Sequence, residues 1–575
     1  MGKVNRREFF EEFIANKAQQ TGTTSLAEDP IYNKYANKER PRGLAKTTGT
    51  LSKYTGQWTE NEVTHLLRRT MFGVTYEDVV AFKGKTMEQC VDELLSTQAK
   101  PYPPLNNYQT STYTDPTGVL LDQPWVNAPY GDSTVNSKRR LSMTSWWIEQ
   151  MLNQKRNITE KMVFFWHNHF ATEYIVVAYA HMMYNHHNIL RDNAMGNFKK
   201  MVRDITTDPA MLRYLNGYLN TKTAPDENYA RELFELFTLG KNYKPIYTED
   251  DIKAAAKILT GWRYRTSDWS SYFSSGLHET SNKKFSSFFG GVTINGRTGT
   301  DGAKETDDLI DLIFTKQEVA KFIVRKLYRY FVYYDVDFNT ELNIIIPLAQ
   351  QFMNSNWEIK PVLETLLKSD HFYDMLSQDC FIRTPVDYVI GTFRTFDIQL
   401  PVSWNSDNRY KIYNYLRYYM GLLGCEPNLP PNVAGWPAFY QEPDFYEKWI
   451  NSTTMPRRME FMDLMLGSGF SAGTGTAIKI DPMHLAKKLP SPGAGDPNAL
   501  IDFYVDLLLG IGISKTLKDQ LKISNLLQGQ SQDYYWTTAW GTYLGQPNTT
   551  NTNLVKSRLV SLLTELTHLA EHNLC

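Results

Sequence analysis

Segments whose apolar residues recur at helical spacing follow one another along this chain. Residues that favour a helix start precede four of them, at Thr59–Glu62, Asn157–Glu160, Thr248 and Thr315–Glu318. A helix of this kind is marginal alone and is stabilised by burying its apolar face against other elements. The pattern therefore predicts a mainly α fold with a large multi-helix body.

One stretch breaks the helical pattern. Between Trp262 and Lys304 the chain is rich in Ser, Gly and aromatic residues, and Asn295-Gly296 is typical of a tight hairpin turn. We therefore predict a small β-hairpin insertion. The predicted organisation is an extended arm (1–52), a helical core with the His and Glu motifs (53–265), an aromatic and glycine-rich β insertion (266–305), a second helical block with an irregular Pro/Trp-rich segment (306–462), a connector (463–500) and a C-terminal helical segment (501–575).

Charge and hydropathy narrow the classes of function. The chain has 61 Lys and Arg against 62 Asp and Glu, and its basic residues form no stripe, so we expect no nucleic-acid partner. The longest apolar run, Tyr174–Met183, is too short to cross a bilayer, so no transmembrane segment is expected. Arg6 and Arg7 are typical of a twin-arginine export signal, but no apolar region or cleavage site follows them, so no cleavable signal is seen.

Histidines are concentrated in one region. Of the 11 in the chain, five fall within 21 residues: His167, His169, His181, His186 and His187. His167 and His169 belong to FFWHNHF, where a helix would point them about 200° apart, so they would not chelate one ion as a pair. One of them could still meet carboxylates from another helix. The alternative is that these are core histidines bonded to backbone or carboxylate groups.

A second group of polar residues lies in PDENYARELFELFTLG. Asn228, Glu232 and Glu235 are spaced at i, i+4 and i+7, so a helix places them on one face. Carboxylates from one helix and a histidine from another are how metal centres are assembled in helical bundles. The alternative is a solvated helix in which Arg231 forms ion pairs with Glu227 and Glu235.

Eight motifs occur in an order that resembles the bacterial family of unknown function numbered 1800: HLLRRTMFGVT, FFWHNHFAT, LRDNAMGNF, TTDPAMLRYLNG, DENYARELFELFTLG, YTEDDIKAAAKILTGW, VAKFIVRKLYRYFV and PPNVAGWP. The resemblance covers about Asn61 to Met462 and supplies no catalytic residues. It implies an exported protein, in the periplasm or on the cell surface, with a protein partner from the neighbouring family 1501. The family's His-acidic motif falls on LHETSNKKF, and His278 beside Trp262 would form either the rim of a ligand cleft or an ordered loop that buries aromatic residues.

These observations lead to three functional hypotheses. The first is a metal-dependent enzyme, oxidative or hydrolytic, whose Zn, Fe, Mn or Cu ion is bound by His167 or His169 with Glu232 and Glu235. Its catalytic residues would be Glu232, Glu235 and Arg231, and the substrate-positioning residues Asn228, His278 and Trp262. The second is a non-catalytic envelope assembly or glycan-binding protein. The third is a metal-free hydrolase of glycans or peptides that uses Glu232 or Glu235 as general acid or base.

Overall fold

The computed structural model describes residues 49–241, 246–442, 445–490 and 493–575. The predicted arm up to residue 48, with Arg6 and Arg7, lies outside the described residues. The fold is mainly α, as predicted. The other domain boundaries stay predictions, because one hydrophobic core runs from Val63 in the first described helix to Leu574 near the last residue.

The helices before the β insertion carry the histidine and carboxylate motifs. They are α1 (Glu60–Thr70), α2 (Tyr76–Lys83), α3 (Met87–Leu94), α4 (Ser133–Leu152), α5 (Thr159–His169), α6 (Tyr174–Val177), α7 (Ala180–Asp192), α8 (Phe198–Thr206), α9 (Pro209–Tyr214), α10 (Asn228–Glu232) and α11 (Glu249–Ile258). A π-helical turn, Leu233–Thr238, extends α10.

The helices after the insertion form the second block and the C-terminal segment. They are α12 (Lys304–Ile313), α13 (Gln317–Phe331), α14 (Phe338–Thr340), α15 (Ile346–Asn354), α16 (Ile359–Leu367), α17 (Pro385–Thr395), α18 (Ser406–Leu422), α19 (Thr454–Leu466), α20 (Pro482–Ala486), α21 (Pro497–Leu508), α22 (Lys515–Leu521), α23 (Tyr534–Gly545) and α24 (Thr549–Thr567). Among the described residues, no helix is both long and apolar enough to cross a membrane.

Two antiparallel hairpins confirm a small β insertion, which begins at Trp262, before the predicted start at residue 266. Strand β1 (Trp262–Tyr264) pairs with β2 (Ser271–Phe273), and β3 (Lys283–Lys284) pairs with β4 (Thr293–Ile294). The prediction of a hairpin turn at Asn295-Gly296 is wrong, because this dipeptide follows β4. Gly296 is instead held by its N–H, which donates to the Asn282 side chain at 3.0 Å.

Two of the four predicted helix starts are confirmed. Thr59 forms a capping box with Glu62, and Thr248 forms one with Asp251. The prediction at Thr315 is wrong, because its hydroxyl donates to the Leu312 carbonyl and so closes α12 rather than starting α13.

The start of α5 is confirmed in part. The Asn157 side chain accepts the Thr159 N–H at 2.8 Å, as a capping residue does. Glu160 does not reach back to it and instead forms a buried ion pair with Arg191 of α7. This pair joins α5 to α7, so both histidine-rich helices lie side by side.

Candidate active site: a cation-lined cavity beside the histidine helix

His167, Asn168 and His169 are consecutive in α5 and therefore face three different neighbours. His167 is buried between the rings of Trp147 and Trp436, with centroids 5.2 and 5.7 Å away. Its Nε2 accepts the Asn428 backbone N–H at 3.2 Å. Burial and the neighbouring His186 lower the pKa of His167 to about 3, so this ring is neutral.

Asn168 holds the Pro/Trp-rich loop against the end of α5. Its Oδ1 accepts the Trp436 N–H at 2.9 Å. Gly435 allows this approach because its φ is +86° and a Cβ there would lie 2.5 Å from the Asn168 carbonyl oxygen. The glycine of PPNVAGWP is therefore required by a close backbone contact.

His169 is engaged at both ring nitrogens. Nε2 lies 3.1 Å from the Phe237 carbonyl oxygen, at the π-helical turn that extends α10. A carbonyl only accepts, so Nε2 carries the proton and donates it. Nδ1 then accepts from the Lys326 ammonium at 3.0 Å. Burial and the charge of Lys326 lower the pKa of His169 well below its ordinary value.

The other clustered histidines are buried in the core. His186 Nδ1 lies 2.8 Å from Asp208 Oδ2, and His181 Nε2 lies 2.9 Å from the Ala128 carbonyl oxygen. His187 lies edge-on to the ring of Trp147, with centroids 4.8 Å apart. These contacts are typical of core histidines.

The carboxylate face is an ion-pair network around Arg231. Its guanidinium lies 2.7 Å from Glu249, 3.2 Å from Glu227 and 3.6 Å from Glu235. Glu232 is half-buried, and burial together with the charge of Glu235 raises its pKa. Glu232 therefore keeps its proton to a higher pH than an ordinary glutamate does.

The three predicted substrate-positioning residues each contact a residue that is not one of the predicted metal ligands. Asn228 donates to the Leu215 carbonyl at 3.2 Å, and the Trp262 indole donates to Thr306 at 3.0 Å. His278 is buried 3.1 Å from Glu305, whose other oxygen binds Lys283 at 2.6 Å. This network connects the β insertion to α12.

The structure brings α5 and α10 together, but at Phe237 rather than at the carboxylates. Within the described part of the chain, no three His, Cys, Asp or Glu side chains form a group that could hold a metal ion. In this arrangement both ring nitrogens of His169 are engaged, one by a carbonyl and one by an ammonium, so this ring is not directed at the carboxylates of α10. Metal binding stays a prediction.

A cavity of about 70 Å³ lies next to His169, between α1, α5, α13, α17 and the Pro/Trp-rich loop. We call it the cationic cavity. Its wall carries five basic side chains and one acid, Asp387; the basic residues are Arg68, Arg69, Lys161, Lys326 and Arg329. Aromatic rings supply most of the remaining wall, including those of Phe165, Tyr330, Phe439 and Trp449.

Three of the five cations have a carboxylate partner. Lys161 forms a buried ion pair with Asp387, Arg329 lies 3.2 Å from Glu442, and Arg68 lies 3.8 Å from Asp379. The guanidinium of Arg69 instead donates to backbone carbonyls and to the Cys380 sulfur and lies over the Phe381 ring.

Lys326 is the most unusual of these cations. The only polar group the described residues bring to its ammonium is the neutral His169 ring. Burial and the positive charge of Arg329, one turn along α13, lower the pKa of Lys326 to about 7. An ionisable group with a strongly shifted pKa in a cavity is a candidate functional residue.

Lys326 is not among the functional residues predicted from the sequence, although its position on α13 distinguishes it from an ordinary surface lysine. Phe322, Lys326 and Tyr330 are spaced at i, i+4 and i+8, so the lysine lies on the apolar side of α13. A lysine on an apolar face is rare unless it is paired or functional. The cavity itself is not visible in the sequence, because its wall comes from six distant segments, Cys575 among them.

A serine motif elsewhere does not form an active site of the hydrolase type. Gly469–Gly473 reads GFSAG, the spacing of a nucleophile elbow, which joins a strand to a helix. Here Ser471 lies in a short loop closed by the bridge between Phe470 and Ile478. The motif is therefore part of a turn.

Comparison with known proteins identifies the family. The sequence matches the family described as protein of unknown function (DUF1800) over residues 65–551. The chain therefore belongs to that family, as its ordered motifs predict. The match continues past Met462, so the predicted limit of the resemblance was too short, and the connector and most C-terminal helices are part of the family. No curated protein and no solved structure shows significant similarity to this chain.

Proposed function

We propose that this DUF1800 protein binds an anionic ligand whose charged group enters the cationic cavity. The observation that carries the proposal is Lys326, a half-buried ammonium for which the described residues supply no carboxylate partner. A cation removed from water without a counter-charge is costly, and a bound anion removes that cost. This develops the ligand-binding alternative drawn from the sequence.

The size and lining of the cavity support an anionic group on a larger molecule. One water needs about 10–15 Å³ of such space, so about 70 Å³ accommodates a carboxylate, sulfate or phosphate group. Arg329 and Lys326 lie one turn apart on α13, close enough to bind one such group together. The aromatic rings of the wall offer surfaces for the rest of the ligand, as an acidic sugar would need.

Anion binding makes a specific pH prediction. The anion stabilises the charged form of Lys326, so binding takes up a proton near pH 7 and weakens as the pH rises further. The other charged groups of the cavity wall are Arg68, Arg69, Arg329 and the Lys161–Asp387 pair. His169 adds no positive charge, because its pKa is well below its ordinary value.

Calorimetric titration tests the proposal with sulfate, phosphate and glucuronate, and with glucose as the uncharged control. Lys326→Met removes a charge-assisted hydrogen bond worth about 1.5–3 kcal/mol, so affinity should fall by about 10- to 150-fold. Lys321→Met is the matched control, because Lys321 is on the same helix but not in the cavity wall. Equal weakening in both variants, or no binding to any anion, would refute the proposal.

A further inference from the structure

The amine of Lys326 is held in one orientation. The Phe237 carbonyl fixes the proton of His169 on Nε2, which leaves the lone pair of Nδ1 facing the amine at 3.0 Å. Lys326 therefore donates one N–H to the ring whether it is charged or neutral. In its neutral form the nitrogen also carries a lone pair, and the side chain lines the cavity.

We propose that Lys326 forms a covalent imine with a ligand that carries both a carbonyl and an anionic group, such as an α-keto acid. The inference rests on the proposed anion binding. Arg329, one turn further along α13, would hold the anionic group while the carbonyl carbon meets the amine. Lysine is the side chain that forms imines with carbonyl substrates.

The reaction needs no oxidant or reductant. The Nζ lone pair forms a bond to the carbonyl carbon, and the C=O π electrons move to oxygen, which takes up a proton released by the nitrogen. The resulting hydroxyl group then leaves as water with the second proton of the nitrogen, and the electron pair left on the nitrogen forms the π bond of C=N. One amine and one carbonyl compound are consumed, and one imine and one water are formed.

The environment favours the reactive form of the amine. An ordinary lysine, with a pKa of about 10.4, is neutral in roughly one molecule per thousand near pH 7.4. Burial and the charge of Arg329 lower the pKa of Lys326, so a larger fraction of its amine is neutral under the same conditions.

Reductive trapping tests the inference. The full chain is incubated with pyruvate or glyoxylate and cyanoborohydride, and the modified lysines are located by peptide mass spectrometry. We expect one reduced adduct, on Lys326, formed at least about tenfold faster than on any other lysine. Lys326→Arg should abolish it, and Lys321→Arg should leave it unchanged. Adducts distributed over surface lysines, or none on Lys326, would overturn the inference.

Two further measurements separate this inference from anion binding. Titration with pyruvate without reductant reports pyruvate binding whether or not an imine forms. Absence of trapping overturns the imine and leaves the proposed function standing as long as any tested anion binds, whereas absence of binding to pyruvate, sulfate, phosphate and glucuronate overturns both. The trapping rate should increase with pH and reach half its maximum near 7, the opposite of the trend for anion affinity. Circular dichroism of Lys326→Arg and Lys326→Met checks that each variant is folded.

Discussion

Gly435→Ala tests the contact between the Pro/Trp-rich loop and α5. A left-handed φ costs a non-glycine residue about 1–2 kcal/mol. At Gly435, where φ is +86°, the new Cβ would also lie 2.5 Å from the Asn168 carbonyl oxygen and closer still to its side-chain oxygen. Relieving that overlap displaces the Trp436 N–H from Asn168, at a further cost of about 1–3 kcal/mol.

Gly424→Ala is the matched control. Its φ is +95°, but no atom lies within 4 Å of the added Cβ, so this variant has the backbone strain without the overlap. The two substitutions should therefore differ by about 1–3 kcal/mol in local stability.

Native-state hydrogen exchange at the Trp436 amide measures how much local stability each substitution removes. A tenfold change in exchange corresponds to about 1.4 kcal/mol, so the peptide containing Trp436 should exchange about 30- to 4,000-fold faster in Gly435→Ala, where strain and overlap both act. In Gly424→Ala the same peptide should keep nearly its wild-type rate. Wild-type exchange at Trp436 in Gly435→Ala would refute the close approach on which the cavity wall depends.

Three further predictions concern the cationic cavity and the metal hypothesis. Because the pKa of Lys326 is near 7 in the folded protein and about 10.4 when unfolded, the folded state binds fewer protons between these values. The stability of the wild type should thus rise from pH 7 to 10, and Lys326→Met should exceed it in urea unfolding at pH 6 but not at pH 10. Asp387→Ala leaves the Lys161 ammonium buried without its partner, so it should cost about 3–5 kcal/mol, and Lys161→Met with Asp387→Leu should recover most of this in the same assay. If the metal hypothesis holds, protein purified without chelator carries a transition metal that His169→Ala loses; elemental analysis below about 0.2 equivalents would reject it.

The sequence predicts those structural features that depend only on residues close to one another in the chain. The helix starts at Thr59 and Thr248 form as their local chemistry requires. Asn295-Gly296 shows the limit of such reasoning, because a dipeptide typical of a turn follows the strand instead. Its position is set by tertiary contacts, since a Cβ at Gly296 would meet the Thr280 and Ser281 carbonyls.

The cavity could not be predicted because its contacts are distant in sequence. His169 and Lys326 are 157 residues apart, and His167 and Asn428 are 261 apart. Helical periodicity places a lysine on the apolar side of α13 but does not state which helix that side meets. The same limitation left open whether the carboxylates of α10 meet α5.

The helix FFWHNHF can now be given a role that does not require chelation. Its 100° rotation per residue directs His167 and Asn168 to the loop at Asn428 and Trp436, and His169 to Lys326. That loop contributes the cavity wall at Phe439, and Lys326 contributes its reactive amine. One turn of α5 therefore contacts two sides of the same cavity, the Pro/Trp-rich loop and α13, and fixes their positions relative to each other. A neutral His167 suits this role, because its Nε2 must keep a lone pair to accept the Asn428 N–H.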